Sequence, residues 1–330
     1  MAHSYAGDIF KVMQEEFGDC TDFIIYYQKD VHSEKETYRY SHAEQDGISG
    51  FIDVLKKKNW LNDNILPTLP VTPKPPGWYI LWRFCVKSLE LKVTSSSYKN
   101  YDSKRENHAH EIPPSQYSMT LSLEESHLVD RYARENKIPI MSLLLFTLDE
   151  TVKKLTTEEG KRIWMVPVTL RKKADQEVKA GEDPLLTGFM DIKLPQKDAR
   201  TLALHIKAEL MKAAHWVGFY SFGLSRFTGI TLLRYLIRLQ AKLQNRAGNF
   251  SYLGRWNEEG KKDLSNQTDL FGGYPPVVHN QPVAGITLHW RGRLILNFMM
   301  HPFLSRDPAD AQKIVHNWKE NLLSKARSHD

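Results

Sequence analysis

Hydrophobic and polar residues follow two periods along this chain, one typical of strands and the other of helices. Runs of β-branched and aromatic residues, bounded by polar or glycine-containing turns, predict strands. These strands span residues 22–28, 37–40, 118–122, 162–170, 188–194, 250–253, 285–290 and 293–300. Only Arg291 and Gly292 separate the last two strands, which predicts a β-hairpin.

Apolar residues at three- and four-residue spacing predict helices between these strands. The helices span residues 8–17, 51–58, 122–136, 141–155, 198–215, 232–244 and 309–326. Ser122 and Glu125 have the spacing of a capping box, which predicts that Ser122 is the N-cap of its helix. Because helices and strands are interleaved irregularly, we predict an α/β fold with a mixed sheet in each of two lobes.

The middle of the chain predicts where the two lobes meet. Five prolines between residues 59 and 77 exclude a helix or an interior strand, so this segment is expected to be a connector or a lid. The aromatic, apolar segment 78–93 is expected to pack against the core. Residues 94–114 are polar and predict an exposed linker. We therefore place the lobes at residues 1–112 and 113–330.

The composition is that of an ordinary globular protein. The 330 residues, 41% of them hydrophobic and 25% charged, suit about two domains. Two cysteines are too few for a disulfide framework, and no secretory signal or membrane span is evident, so a cytoplasmic location is expected. The net charge of +6 suits an anionic partner, but no aromatic-basic motif predicts nucleic-acid binding. His108 and His110 lack partners at metal-ligand spacing, so no metal site is predicted.

One loop carries the residues best suited to catalysis. His42 follows the strand at 37–40, and Asp46 and Gly47 come four and five residues later, before a helix. A strand end fixes the backbone while a tight loop projects the imidazole, as a general base requires. Asp46 can orient the loop or pair with a distant arginine, and Gly47 permits a positive φ or a close approach. The plain alternative is a histidine that only completes a turn.

This loop resembles the HHxxxDG motif of the CoA-dependent acyltransferase superfamily, which includes chloramphenicol acetyltransferase, wax ester synthases and the condensation domains of nonribosomal peptide synthetases. Four later segments are similar to family segments in the same order. They are residues 166–171 (VPVTLR), 188–192 (GFMDI), 249–254 (NFSYLG) and 285–296 (GITLHWRGRLIL). The resemblance covers residues 20–325 and implies a two-lobed chloramphenicol acetyltransferase-like sandwich, with mixed sheets and a tunnel between the lobes.

The resemblance also implies an acyltransferase. His42 would deprotonate an alcohol or amine, which attacks an acyl thioester on CoA or on the phosphopantetheine arm of an acyl carrier protein. No permanently bound cofactor is implied. Asp46 belongs to the catalytic loop, mainly as a structural carboxylate, and Ser251 is the candidate oxyanion donor on general chemical grounds. The candidate substrate-binding residues are Gly47, Asn249 and Arg171, the last with a structural role.

Two departures from the family pattern alter the expected first lobe. Ser41 stands where the motif has its first histidine, which is the less essential of the pair. The motif also lies near residue 42, whereas in the family it lies much further along the chain. A short first lobe is therefore expected. One wall of the acceptor channel would be reduced, remodelled from residues 59–107, or supplied by another subunit of a homo-oligomer.

A basic amphipathic helix at 232–244 is the other candidate for function, because three of its cations lie four residues apart on one face. The candidate docking surface comprises Arg226, Arg234, Arg238, Lys242 and Arg246. Its interpretations are the solvated face of a core helix, a helix lying peripherally on a membrane, or a docking patch for an acidic carrier protein. For the whole chain, the alternative to an enzyme is a non-catalytic scaffold or binding protein that retains the fold.

Overall fold

The computed structural model describes most of the chain. The described residues are 5–17, 19, 21–30, 33–42, 45–60, 65–69, 72–89, 94–95, 98, 114–157, 162–176, 186–224, 229–257 and 269–328. Within them, the chain forms two main β-sheets with helices packed on both. The predicted α/β class with mixed sheets is confirmed.

The smaller sheet has three antiparallel strands. Its centre is β1 (Asp22–Gln28), which pairs with β2 (Glu36–Ser41) on one side and with β9 (Leu270–Tyr274) on the other. The helix α2 (Gly47–Lys57) packs on this sheet through Phe51 and Leu55, which are fully buried. The smaller sheet is thus completed by β9, a strand from late in the chain.

The larger sheet has six strands in the order β4-β11-β10-β8-β5-β6. Their bounds are β4 (Ser115–Thr120), β5 (Arg162–Thr169), β6 (Thr187–Leu194), β8 (Gly248–Trp256), β10 (Val283–Trp290) and β11 (Arg293–Met300). The strand β8 is parallel to both of its neighbours, and the other pairs are antiparallel. The predicted hairpin is confirmed, and Arg291 and Gly292 both have positive φ, as a tight two-residue turn between strands requires. A two-residue strand β3 (Thr94–Ser95) also pairs with β7 (Gln244–Asn245).

Helices cover the larger sheet. The helices α4 (Leu123–Glu135), α5 (Ile140–Val152) and α9 (Pro308–Arg327) pack together against it, with Trp318 fully buried at their centre. The predicted capping box is confirmed, since Glu125 N–H donates to Ser122 Oγ and Ser122 N–H donates to Glu125 Oε2, both at 3.0 Å.

The described part of the chain contains five further α-helices. They are α1 (Tyr5–Phe17), α3 (Gly77–Leu89), α6 (Ala199–Met211), α7 (Ala214–Leu224) and α8 (Ile230–Leu243). The single helix predicted at 198–215 is two helices, because the chain turns at Lys212 and Ala213, where Ala213 has a φ of 54°.

The helix α3 corrects one prediction. The segment from residue 78 was expected to pack, but Trp78, Leu81 and Trp82 are 71%, 64% and 53% exposed. Only its opposite face is anchored, with Ile80 buried and the Tyr79 hydroxyl donating to Lys212 O at 3.4 Å. The predicted lobe boundary at residue 112 lies outside the described residues.

Candidate active site

His42 stands directly after β2, at the position that the sequence predicts. Its Nδ1 lies 3.3 Å from the Gln45 carbonyl oxygen. Because a carbonyl only accepts hydrogen bonds, this contact places the ring proton on Nδ1 and leaves Nε2 as the basic nitrogen. The imidazole is enclosed by aromatic rings, with centroids 5.3 Å away for Phe10 and 6.4 Å away for Phe23.

This enclosure sets the charge of the imidazole. Burial lowers the pKa of His42 from the ordinary histidine value, and the nearby negative charge of Asp46 opposes this effect only in part. The ring is therefore neutral at pH 7, which is the state that a general base needs.

Asp46 closes the loop and ties it to the larger sheet. Its Oδ1 caps α2 by accepting from Ser49 N–H at 2.9 Å. Its Oδ2 accepts two hydrogen bonds from Arg171, from Nη2 at 3.0 Å and from Nε at 3.2 Å. Both side chains are buried, and Arg171 also donates to Gln176 O and Ser49 Oγ. The carboxylate thus holds the position of the loop through Arg171, beyond the end of β5.

Gly47 is the first residue of α2, and the lack of room for a side chain explains why this residue is a glycine. A Cβ atom on Gly47 would lie 3.2 Å from the Phe23 ring, tighter than ordinary contact. Among the described residues, the glycines with positive φ are Gly254 and Gly292, and Gly47 is not one of them. Of the two roles that the sequence allowed for this glycine, the close approach is the one observed.

A cavity of about 590 Å³ lies between the two sheets. Residues from both sheets line it, and His42, Asp46, Gly47, Asn249 and Ser251 all contribute. Arg171 lies behind Asp46 and outside the lining of this cavity. The structure therefore brings five of the six predicted site residues to one cavity and places the sixth against it.

The strand β8 presents two of these residues. Asn249 and Ser251 are two positions apart, so their side chains point to the same face of the sheet. Asn249 is buried and donates from Nδ2 to Pro276 O at 3.2 Å, whereas Ser251 is partly exposed. This places a hydroxyl on the wall of the cavity, on the opposite sheet from the His42 loop.

Part of the cavity wall comes from the proline-rich connector and from α1. Thr68, Leu69 and Thr72 of the connector line the cavity, as do Ile9 and Phe10 of α1. These connector contacts are those of a wall built in part from residues 59–107.

The structure corrects the predicted docking surface at Arg246. Arg246 is buried and paired with Asp191 at 2.7 Å in the cavity wall, so it does not belong to an exposed patch. Arg234 is ion-paired with Glu15 and Glu16 of α1, and Arg238 is ion-paired with Glu16. Arg226 lies outside the described residues, as does the side chain of Lys242.

The apolar residues of α8 divide into a buried set and an exposed set. Leu233 and Ile237 are buried against Ile9 and Val12 of α1. Five other apolar residues of α8 are 39% to 62% exposed, and these are Ile230, Leu232, Tyr235, Leu236 and Leu239.

One part of the cavity was not predicted at all. His279, Asn280 and Gln281 line it, and His279 is paired with Asp19. The available signal was a run of three polar residues between the valines at 277–278 and 283. No cluster of metal-ligating side chains occurs in the part of the chain that the structure describes. His108 and His110 lie outside that part.

Comparison with known proteins shows the fold. No protein-family model and no curated protein sequence matches the chain. Among solved structures, polyketide synthase associated protein 5 from Mycobacterium tuberculosis has a TM-score of 0.53 at 12% identity, over 91% of this chain and 75% of that one. A trichothecene 15-O-acetyltransferase from Fusarium sporotrichioides has a TM-score of 0.56 at 13% identity, over 92% and 70%. The EpoB NRPS cyclization-docking bidomain from Sorangium cellulosum has a TM-score of 0.54 at 10% identity, over 88% and 60%.

The chain therefore has the two-lobed, chloramphenicol acetyltransferase-like fold of the CoA-dependent acyltransferases, as its sequence indicated. None of the described helices combines the length and the apolar character that crossing a membrane would need.

Proposed function

We propose that this protein is an acyltransferase that moves an acyl group from a thioester to an alcohol or amine, with His42 as the general base. The observation that carries the proposal is the neutral imidazole of His42 on the wall of a cavity between the two sheets. Its Nδ1–H is held by Gln45 O, which leaves Nε2 to accept a proton. The same fold occurs in enzymes and domains with related chemistry. This supports the proposed acyl transfer but does not by itself assign the activity.

The proposed reaction needs one base and no covalent enzyme intermediate. Nε2 of His42 takes the proton of the acceptor O–H or N–H as the acceptor's lone pair forms a bond to the thioester carbonyl carbon. The carbonyl oxygen becomes an oxyanion. Collapse of this intermediate breaks the C–S bond, and the departing thiolate takes the proton from the His42 imidazolium.

Ser251 is the proposed donor to that oxyanion. Its hydroxyl lies on the cavity wall formed by β8, on the opposite sheet from His42, as an oxyanion donor across the reacting carbonyl must. We expect Ser251→Ala to lower kcat by roughly 10²–10³-fold with little change in KM, because the interaction exists mainly in the transition state. An unchanged kcat would remove Ser251 from the mechanism.

The donor is proposed to be acyl-CoA or an acyl group on a carrier-protein phosphopantetheine. In either case the thioester enters as a substrate and no resident cofactor is required. The net charge of +6 suits the phosphates of such a donor. Because Arg234 and Arg238 are already ion-paired, recognition of an acidic carrier protein would involve other cations as well.

The size of the cavity supports an enzyme over a scaffold. A volume of about 590 Å³ falls in the range of small-molecule sites. A protein that had kept only the fold would have no requirement for an open cavity beside a neutral histidine.

The test is transfer from a panel of acyl-CoA donors to alcohol and amine acceptors, followed by release of free thiol. We expect His42→Ala to lower kcat/KM by about 10²–10⁴-fold. His127→Ala is the matched control, because His127 is exposed on α4 and lies outside the cavity. Acyl-CoA should raise the melting temperature of His42→Ala as much as that of the unaltered protein, since the base is not needed for binding.

Two results would contradict the proposal. Full transfer activity in His42→Ala would exclude His42 as the base. Absence of both transfer and thermal stabilisation with every acyl-CoA and acyl-phosphopantetheine donor would favour the scaffold.

A further inference from the structure

One end of the cavity is polar, whereas the rest of its lining is mainly apolar. Five polar residues form this polar end, and each is less than a tenth exposed. They are Arg246, Asn249, His279, Asn280 and Gln281. Buried polar side chains are expensive unless they are hydrogen-bonded, so a cluster of them on a cavity wall requires an explanation.

The backbone of the polar end is held in place. Gln281 N–H donates to Val278 O at 2.8 Å, which closes a turn, and Arg246 N–H donates to Asn280 O at 2.9 Å. The Arg246 side chain is neutralised by Asp191. The polar end therefore offers a substrate a fixed surface with little free positive charge.

Two acceptors in the polar end lack partners. Among the residues that the structure describes, Asn280 Oδ1 and Gln281 Oε1 are buried and form no hydrogen bond. Both residues line the cavity. A buried acceptor left unsatisfied destabilises the fold, so these two oxygens point to a ligand that carries hydrogen-bond donors.

His279 is a further polar residue of this end, and Asp19 orients it. Asp19 accepts from the His279 backbone N–H at 2.7 Å and from His279 Nδ1 at 2.8 Å. Burial alone would raise the pKa of Asp19, but its hydrogen bonds with His279 and His301 outweigh burial and lower it. The Asp19 carboxylate therefore fixes the orientation of the His279 ring on the cavity wall.

The helix α1 shows how far the polar end lies from the reacting group. Phe10 contacts the His42 ring, and Phe17 stacks on the His279 ring with centroids 3.7 Å apart. The two phenylalanines are seven residues apart on one face of α1, which is about 10 Å along the helix axis. The two imidazoles thus lie at separate positions along the cavity, too far apart to act on one atom.

From these features we infer that the polar end is a second recognition site, which binds a hydroxyl or amino group carried by the substrate roughly 10 Å from the reacting group. The inference rests on the proposed function and names its substrate class: molecules with an apolar body and a hydrogen-bond donor at the far end. The acceptor or the acyl chain can carry that donor.

The experiment compares substrates that differ only in the distal donor. One arm pairs α,ω-diols and amino alcohols with primary alcohols of the same length, using one acyl-CoA donor. The other arm pairs ω-hydroxyacyl-CoAs with plain acyl-CoAs. In one arm we expect kcat/KM to favour the substrate with the distal donor by tenfold or more, because a site built to hydrogen-bond a hydroxyl rejects an analogue that lacks it.

The variant Asn280→Leu with Gln281→Met removes the two unpartnered acceptors at similar volume. We expect the kcat/KM ratio to fall to about one in this variant. The melting temperature should hold or rise, since two unsatisfied buried oxygens are removed. Gln116→Met is the matched control, because Gln116 is exposed on β4 away from the cavity, and it should retain the ratio.

Binding separates this inference from the proposed function. Affinities of the same pairs for His42→Ala, measured by calorimetry, report recognition without turnover. Equal affinity and equal turnover within every pair would overturn the inference and leave the acyltransferase proposal standing. A preference for the distal donor in binding, without transfer by the unaltered protein, would support the inference and contradict the proposed reaction. A preference that survives Asn280→Leu with Gln281→Met would also overturn it.

Discussion

The ion pair between Asp46 and Arg171 gives the sharpest stability prediction, because it joins the catalytic loop to the larger sheet. Asp46 makes two kinds of contact: it caps α2 through Ser49 N–H, and it accepts two hydrogen bonds from Arg171. A cap of this kind is worth about 1 kcal/mol. Removing one partner of a buried pair costs about 3–5 kcal/mol, because the remaining charge is buried without compensation.

Three variants separate these contributions. Asp46→Asn keeps an oxygen for the cap but leaves the Arg171 guanidinium buried and unpaired, so we expect a loss of about 3–5 kcal/mol. Asp46→Ala also removes the cap and should cost about 1 kcal/mol more. Asp46→Asn with Arg171→Met leaves no isolated charge. Its cost should therefore fall at least about 2 kcal/mol short of the sum of the two single variants.

Urea unfolding at pH 7 measures all of these free energies. Reliable values need unchanged m-values, since a change in m would mean that the folded or unfolded ensemble has changed. A cost below about 1 kcal/mol for Asp46→Asn, or additive single variants, would refute the view that this pair holds the loop.

Three further predictions follow from other parts of the fold. Because burial lowers the pKa of His42, kcat/KM should fall in acid only below pH 6.5, and an acid limb above that value would contradict the assignment. Burial also lowers the pKa of His215 to about 4, so the unfolded state binds the extra proton first and stability is lost as the pH falls from about 6.5 to 4. His215→Phe should flatten that loss, roughly 2 kcal/mol after solvent screening, in urea unfolding measured across this pH range. Gly218→Ala would push a Cβ into the Phe189 carbonyl and should cost about 1–3 kcal/mol, whereas Gly229→Ala has open space and should change the urea midpoint little.

The strands and helices that the sequence predicted are those whose signal is local. Alternation and helical spacing are properties of adjacent residues, so β1, β5, β6, α9 and the hairpin of β10 and β11 could all be found. The strand β9 was missed because two of its five residues are glycines. Gly272 leaves room for the Tyr26 ring on β1, a contact between residues far apart in the sequence. Its strand structure comes from pairing rather than from propensity.

The candidate site likewise contains residues with a local sequence signal and residues that only the fold brings together. His42, Asp46 and Gly47 stand within one loop, so their spacing alone predicted that they act together. Asp19 and His279 are 260 positions apart, and nothing in either segment identifies the other as its partner.

The prediction for Arg246 was wrong, because this residue was expected on an exposed surface and is buried. Arg246 lies beyond the end of α8, and its partner is Asp191 on β6, which no pattern in the local sequence identifies. The sequence also failed to predict that Trp78 and Trp82 are exposed. Hydrophobicity predicts burial only where another element is present to cover the residue.

Two cations of α8 pair with acids of α1, a helix that lines part of the cavity. Arg234 and Arg238 pair with acids of α1, the same helix whose other face contacts His42 through Phe10. Exposed ion pairs are worth at most about 1 kcal/mol each, whereas each fully buried aliphatic side chain contributes about 1.5–3 kcal/mol. The four buried residues at this contact, Ile9, Val12, Leu233 and Ile237, therefore dominate the attachment of α1. The apolar cluster therefore holds α1 in place, so this wall of the cavity depends on packing more than on ionic strength.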